Sequence, residues 1–345
     1  MTKVDIISGF LGAGKTTLIK KMLAGPLKGQ QVVLIENEFG EIGIDGGFLK
    51  EAGIEIREMN SGCICCSLVG DFETALADVI NQYHPDRIII EPSGVGKLSD
   101  VIHAVEAIRG DIILNSATTV VDVTKCKMYA KNFGEFFQNQ IEAASTVILS
   151  RMDTDKASDD KVEAALEIIK GLNEAATVIT TPVEQLDGEK LLDTMEGIKV
   201  DLTDTEAEHD ENCTCGCHDH HDHNHGGHDH NHDHNHDNCG HDHGHHHGHG
   251  HHHADEVFSS WGATTIKKFD KDGISNILAK LADEESYGTV LRAKGMVEGD
   301  TGQWIYFDMV PEEVDIREGA PEYTGRICVI GAKLNEENLK DLFGV

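Results

Sequence analysis

The sequence predicts an α/β protein: a P-loop domain with a mostly parallel sheet, a disordered His-rich linker, and a small C-terminal α+β domain. Three observations predict it. Gly9-Phe10-Leu11-Gly12-Ala13-Gly14-Lys15-Thr16 has GxxxxGKT spacing and stands between a short apolar run and a helical pattern. Short β-branched runs recur through residues 1–200 with helical spacing between them, as expected of strands covered on both faces. From Asp201 to Asp255 the apolar periodicity stops, and 20 of the chain's 22 histidines fall there.

Composition narrows the function classes. The 345 residues suggest two folded domains, and 39% hydrophobic content suffices for a core in each. A net charge of -32 argues against nucleic-acid and anionic-membrane partners, which need a basic patch, and favours cations. The N-terminus enters a strand without an apolar signal core, and no apolar run is long enough to span a bilayer. A soluble, cytoplasmic protein is expected, in which nine cysteines stay reduced and clustered thiols point to metal.

The first strand is expected at Val4–Ile7, and the helix after the loop at Thr17–Leu23. In that setting Gly9, Gly12, Ala13 and Gly14 let backbone N–H groups cradle a β-phosphate. Lys15 reaches the β/γ-phosphates as the catalytic cation, the Thr16 hydroxyl ligates Mg²⁺, and Thr17 continues the nucleotide contact. A strand at Val32–Ile35 leads into Glu36-Asn37-Glu38-Phe39-Gly40-Glu41, a source of oxygen ligands from Glu36 and Glu41 and of a loop that senses the γ-phosphate.

A strand at Ile54–Ile56 and a helix from about Leu68 bracket Cys63-Ile64-Cys65-Cys66. Thiols at a helix N-terminus shift toward thiolate, so Cys63, Cys65 and Cys66 read as a soft-metal site for Zn²⁺, Co²⁺ or Ni²⁺, with a redox role as the competing reading. After the strand Arg87–Ile90 comes Glu91-Pro92-Ser93-Gly94, which puts an acid near Mg²⁺ and Gly94 near the γ-phosphate. Strands at Thr118–Val121 and Val147–Leu149 follow. Ser150-Arg151-Met152-Asp153 then resembles the base-reading loop of GTPases, where Asp153 would accept from guanine N1–H and N2–H₂. GTP is preferred over ATP on that ground, although Ser150 and Arg151 depart from the usual Asn-Lys pair and loosen the discrimination. Helical spacing of Val162, Ala165, Leu166 and Ile169 and a strand at Thr177–Thr180 complete the unit.

The linker runs from Cys213-Thr214-Cys215-Gly216-Cys217-His218 through His alternating with Asp, Asn and Gly to His253. Such a stretch buries too little apolar surface to order itself. An expression tag would be terminal and contiguous, and a plain spacer would not carry this many imidazoles. A metal-collecting arm fits better, with a tighter site at Cys213, Cys215, Cys217 and Cys239 beside His218. After it, a strand at Val257–Ile266, a helix at Gly273–Ala282, strands at Thr289–Met296, Gln303–Val310 and Arg326–Ile330 and a helix at Asn335–Leu342 give a β-α-β-β-β-α order. Trp261 and Trp304 are expected to pack, and no catalytic constellation shows in this part. Cys126, Cys328, His84 and His103 read as structural.

Taken in order, Ser8 to Thr17, Glu36 to Glu41, Asn60 to Cys66 and Glu91 to Gly94 resemble the CobW-type metallochaperone GTPases over residues 1–200, with a C-terminal unit like that family's second domain. The resemblance implies GTP hydrolysis coupled to delivery of zinc or cobalt to a metal-requiring client protein, with the Cys63, Cys65 and Cys66 thiolates holding the metal. The expected cofactors are GTP, Mg²⁺ and Zn²⁺ or its Co²⁺/Ni²⁺ alternatives, and a homodimer is the expected self-association. The expected domains are 1–200, 201–255 and 256–345. A metal buffer regulated by GTP and a cobalt-handling factor for cobalamin synthesis are the rival readings.

Overall fold

The structure, a computed structural model, describes residues 1–37, 55–59, 69–108, 110–197 and 254–345. The first sheet is formed by β1 (Thr2–Gly9), β2 (Val32–Asn37), β3 (Glu55–Met59), β4 (Arg87–Glu91), β5 (Ile112–Asp122), β6 (Thr146–Ser150) and β7 (Thr177–Ile179). Its seven strands lie in the order β3-β2-β4-β1-β5-β6-β7, and each neighbouring pair is parallel. Between them run α1 (Lys15–Ala24), α2 (Val69–Tyr83), α3 (Leu98–Glu106), α4 (Cys126–Asn132), α5 (Gly134–Glu142), α6 (Asp159–Leu172) and α7 (Gly188–Met195).

Strand alternation builds a core on each face. Ile6, Ile88 and Ile90 pack with Val101 of α3 and Ile141 of α5, while Ile7, Leu34 and Ile89 pack with Leu18 of α1 and Leu191 of α7. The chain crosses from one side of β1 to the other after β4, so the carboxyl end of β1 opens at a topological switch point.

Strand β5 starts well before the expected Thr118, because Asn115 and Ser116 interrupt its apolar pattern for a reason that lies across the sheet. Asn115 Nδ2 and Ser116 Oγ donate to Asp5 Oδ1 at 2.7 and 2.6 Å, and Arg87 Nη1 pairs with Asp5 Oδ2. Asp5 is fully buried. Arg87 also donates to Glu196 Oε1 at 2.7 Å, and Lys3 Nζ donates to Glu196 Oε2 at 2.9 Å. Burial alone would raise the Glu196 carboxyl, but hydrogen bonds from Arg87 and Lys3 outweigh it and hold the group below the usual glutamate range.

The C-terminal part comprises α8 (Ala254–Val257), β8 (Ser259–Thr265), α9 (Lys271–Lys280), α10 (Glu284–Tyr287), β9 (Thr289–Glu298), β10 (Trp304–Val310), β11 (Glu313–Gly319), β12 (Gly325–Ala332) and α11 (Glu336–Phe343). Its five strands form an antiparallel sheet in the order β11-β10-β9-β12-β8. This corrects the expected order: β11, an acidic edge strand with none of its residues buried, has no apolar alternation to announce it. The strand expected from Val257 begins at Ser259, after the short helix α8. Trp261 stacks on Phe343 at 5.7 Å, and Trp304 is also buried.

The α/β part and the C-terminal sheet belong to one compact unit by their contacts. Phe258 packs against Phe133 at 5.5 Å and Phe136 at 5.1 Å. Phe10, inside the phosphate loop, meets Tyr129 at 4.4 Å and Phe258 at 6.4 Å, so the loop itself belongs to the seam. Residues 198–253, which hold the Cys/His-rich linker, lie outside the described residues.

Candidate functional site: a phosphate-loop cavity

The loop after β1 is folded by its glycines. Gly9 sits at φ 145°, and a Cβ there would stand 2.4 Å from Val120 O, so no side chain fits. Gly14, at φ 104°, precedes α1 with no side-chain cap, which leaves the first-turn N–H groups for an anion. Lys15 is buried, and its Nζ donates to Gly9 O at 3.0 Å while standing 3.9 Å from Glu91 Oε1. The Thr16 hydroxyl lies 3.3 Å from both Glu91 carboxylate oxygens. Thr16 and Glu91 thus form a hard-oxygen pair beside the phosphate cradle, a donor set that suits Mg²⁺.

Glu36, one residue before the end of β2, is in register with Glu91 of β4 and is buried, so the two acids occupy neighbouring positions at the carboxyl edge. The loop after Glu91 is anchored by a residue the sequence did not single out. Gln140 of α5, fully buried, donates Nε2 to Gly94 O at 3.1 Å and to Gly96 O at 2.8 Å. Gln140→Leu leaves both carbonyls without that donor and is expected to cost about 1–3 kcal/mol in urea unfolding. It should also lower turnover by letting Gly94 drift; an unchanged unfolding midpoint would show that the amide does not hold the loop.

The base-reading candidate is only partly assembled in the cavity wall. Ser150 is buried, and its Cβ lies 3.9 Å from where a Cβ on Gly14 would be. Arg151, at φ 63°, lines the cavity, and its Nη1 pairs with Glu313 Oε1 at 2.9 Å. Asp153 is exposed. Nearby, buried Lys125 stands 3.7 Å from Asp122 Oδ2 and 3.9 Å from Glu313 Oε2. Burial lowers its pKa more than those carboxylates raise it.

The cavity measures about 440 Å³, within the size range of small-molecule sites. One wall is the phosphate loop with Thr17, Lys20 and Glu91; the other is the C-terminal sheet, through Arg292, Asp308, Val310, Asp315 and Arg317. No catalytic constellation was expected in the C-terminal part, and what that part contributes here is lining. In β10, Ile305, Phe307 and Met309 fill the sheet's core while Asp308 and Val310 face the loop. In sequence such alternation is indistinguishable from a solvated face.

Of the expected transition-metal ligands, Glu36 is described; Cys63, Cys65, Cys66 and Glu41, and Cys213, Cys215, Cys217, His218 and Cys239 of the linker, lie outside the described residues. Among the described residues, no group of three or more His, Cys, Asp or Glu is placed to hold a metal ion. Cys126 and Cys328 are buried, and burial pushes the Cys126 thiol up to about 12, which makes it inert.

Residues 3–180 match the CobW/HypB/UreG nucleotide-binding domain, and residues 258–344 match the cobalamin synthesis protein CobW C-terminal domain. The chain belongs to the CobW/HypB/UreG family. This CobW-family chain is 32% identical to the zinc chaperone YeiR of Escherichia coli K12 over 44% of its own length and 47% of YeiR's. It is 29% identical to the zinc-regulated GTPase metalloprotein activator 1 of Schizosaccharomyces pombe, over 53% of this chain and 46% of that one. The aligned region thus spans about half the length of these curated relatives. The Zn(II)-bound YjiA GTPase of E. coli superposes over 99% of this chain and 98% of its own, with 20% identity and a TM-score of 0.43. No helix among the described residues is long and apolar enough to cross a membrane.

Proposed function

We propose that this CobW-family chain is a GTP-hydrolysing metallochaperone that carries a transition metal, zinc first, to a metal-requiring client protein. The observation that carries the reading is the convergence of Lys15, Thr16 and Glu91 beneath the phosphate loop of a CobW-family domain. Relatives named as zinc chaperones and as a zinc-regulated GTPase activator support zinc as cargo.

In this reading Gly12, Ala13 and Gly14 offer backbone N–H groups to the phosphates, and Lys15 balances charge on the transferring phosphoryl group. Thr16 and Glu91 would hold Mg²⁺, which supplies neutralisation of the β- and γ-oxygens. Gly94 closes the phosphate end under the hold of Gln140. Asp153, exposed at the end of its turn, would reach the guanine. The cargo ligands are Cys63, Cys65 and Cys66 with Glu36 and Glu41, and the linker thiols and imidazoles collect metal. The cytoplasm is the compartment in which such thiols stay reduced.

The register of Glu36 with Glu91 supports a reading in which the segment Glu36–Glu41 responds to the γ-phosphate. Metal affinity is therefore expected to differ between a non-hydrolysable GTP analogue and GDP by at least ~10-fold, about 1.4 kcal/mol of coupling. Zinc should shift the relative GTP and GDP affinities by the same factor. A competition titration with a chromophoric chelator, on protein lacking residues 209–253, reads the tight site without the arm. Equal metal affinity in both nucleotide states, or unchanged coupling in Cys65→Ala, would favour a GTP-regulated metal buffer.

A further inference from the structure

The cavity has a second charged wall for which the phosphate loop alone gives no reason. Five of its lining side chains are cationic, namely Lys15, Lys20, Arg151, Arg292 and Arg317, in a chain whose net charge is -32. Two of the five come from the C-terminal sheet.

We propose that Arg292 contacts the phosphate chain of the bound nucleotide, as a guanidinium supplied to the phosphate loop by the C-terminal sheet of the same molecule. The proposal rests on the GTPase reading above. Its first support is orientation. Asp308 accepts from Arg292 Nε and Nη2 in a bidentate pair at 3.1 and 2.7 Å, which fixes the guanidinium plane. A planar fork held by a carboxylate is pre-organised for phosphate oxygens in a way that a mobile lysine is not.

The second support is burial. The Arg292 side chain is 17% exposed, against 43% for Arg317, so its charge works in a partly desolvated setting where it is screened less. The third is position. Val310, two residues beyond Asp308 on the same face of β10, packs directly on the phosphate loop: a Cβ on Gly12 would stand 2.7 Å from Val310 Cγ1. The strand that holds Arg292 in place is therefore the strand seated on the loop. On the other side of that loop Phe10 is locked against Phe258, so the sheet and the loop meet at two points.

The test compares the full chain with Arg292→Ala, Arg292→Lys and Asp308→Asn, by equilibrium binding of a fluorescent GTP analogue and by steady-state hydrolysis. Arg292→Ala is expected to weaken GTP binding or lower kcat by at least ~10-fold. Arg292→Lys keeps the charge without the fork and should recover part of the loss. Asp308→Asn should give a smaller loss, with binding that becomes more sensitive to salt as the guanidinium loosens. Melting without nucleotide separates these effects from a folding defect. Should Arg292→Ala fail to fold, Arg292→Lys and Asp308→Asn carry the comparison. Unaltered binding and turnover in the folded variants would overturn the assignment. Failure of the unaltered chain itself to bind GTP would instead overturn the GTPase reading.

Discussion

Lys15→Ala is expected to lower GTP turnover by roughly 10²–10³-fold, the usual cost of removing one donor aimed at developing charge. Folding should survive. The side chain opens α1, where alanine is the better helix former, and the buried apolar residues of that helix, Leu18, Ile19, Met22 and Leu23, are untouched. Circular dichroism and melting of the nucleotide-free protein check the fold, and phosphate release checks the rate. Retained turnover in a folded Lys15→Ala protein would remove the phosphate-loop assignment and, with it, the roles given to Thr16 and Glu91.

The largest expected loss of stability lies at the other end of the same strands. Arg87→Leu removes the cation from fully buried Asp5 and from Glu196, and an uncompensated buried charge costs about 3–5 kcal/mol. Urea unfolding reads that loss, and an unfolding midpoint within error of the unaltered chain would sink the account. Turnover below the melting transition should hardly change, because Lys3 and Arg87 pair in register at the amino ends of β1 and β4 while the phosphate loop follows the carboxyl end. The pH dependence has a definite sign. The folded Glu196 carboxyl is depressed, so the unfolded chain binds more protons. Its contribution is present above the ordinary glutamate range and disappears as pH falls through the depressed value.

The phosphate loop was legible because eight consecutive residues carry both its geometry and its chemistry, and the strand before and helix after it are local signals. The place of Glu91 was legible for a similar reason, as the last residue of a strand in a parallel sheet. The register of Glu36 with Glu91 was not, because pairing between strands leaves no mark on either one. Asn115 and Ser116 hid the start of β5, since the apolar pattern cannot foresee that a buried Asp5 needs two donors there. Gln140 and Arg292 were invisible for a related reason. Each acts on a segment tens to hundreds of residues away, and each reads locally as an ordinary polar position on a half-buried element. Asp153 shows the opposite limit: its motif is recognisable in the sequence, but the residue stands exposed.

The seam between Phe10, Phe133, Phe136 and Phe258 puts Gly197 and Ala254, the described residues on either side of the Cys/His-rich segment, in one body. Joining two points of one body costs a chain entropy that grows only as the logarithm of the number of residues between them, so doubling that number costs about 0.6 kcal/mol. Histidines and cysteines can therefore be added to or taken from this segment at almost no expense to the body that closes it. Under the proposed function, metal-collecting capacity then becomes a quantity that changes by length alone, independently of the core, the phosphate loop and the wall opposite it.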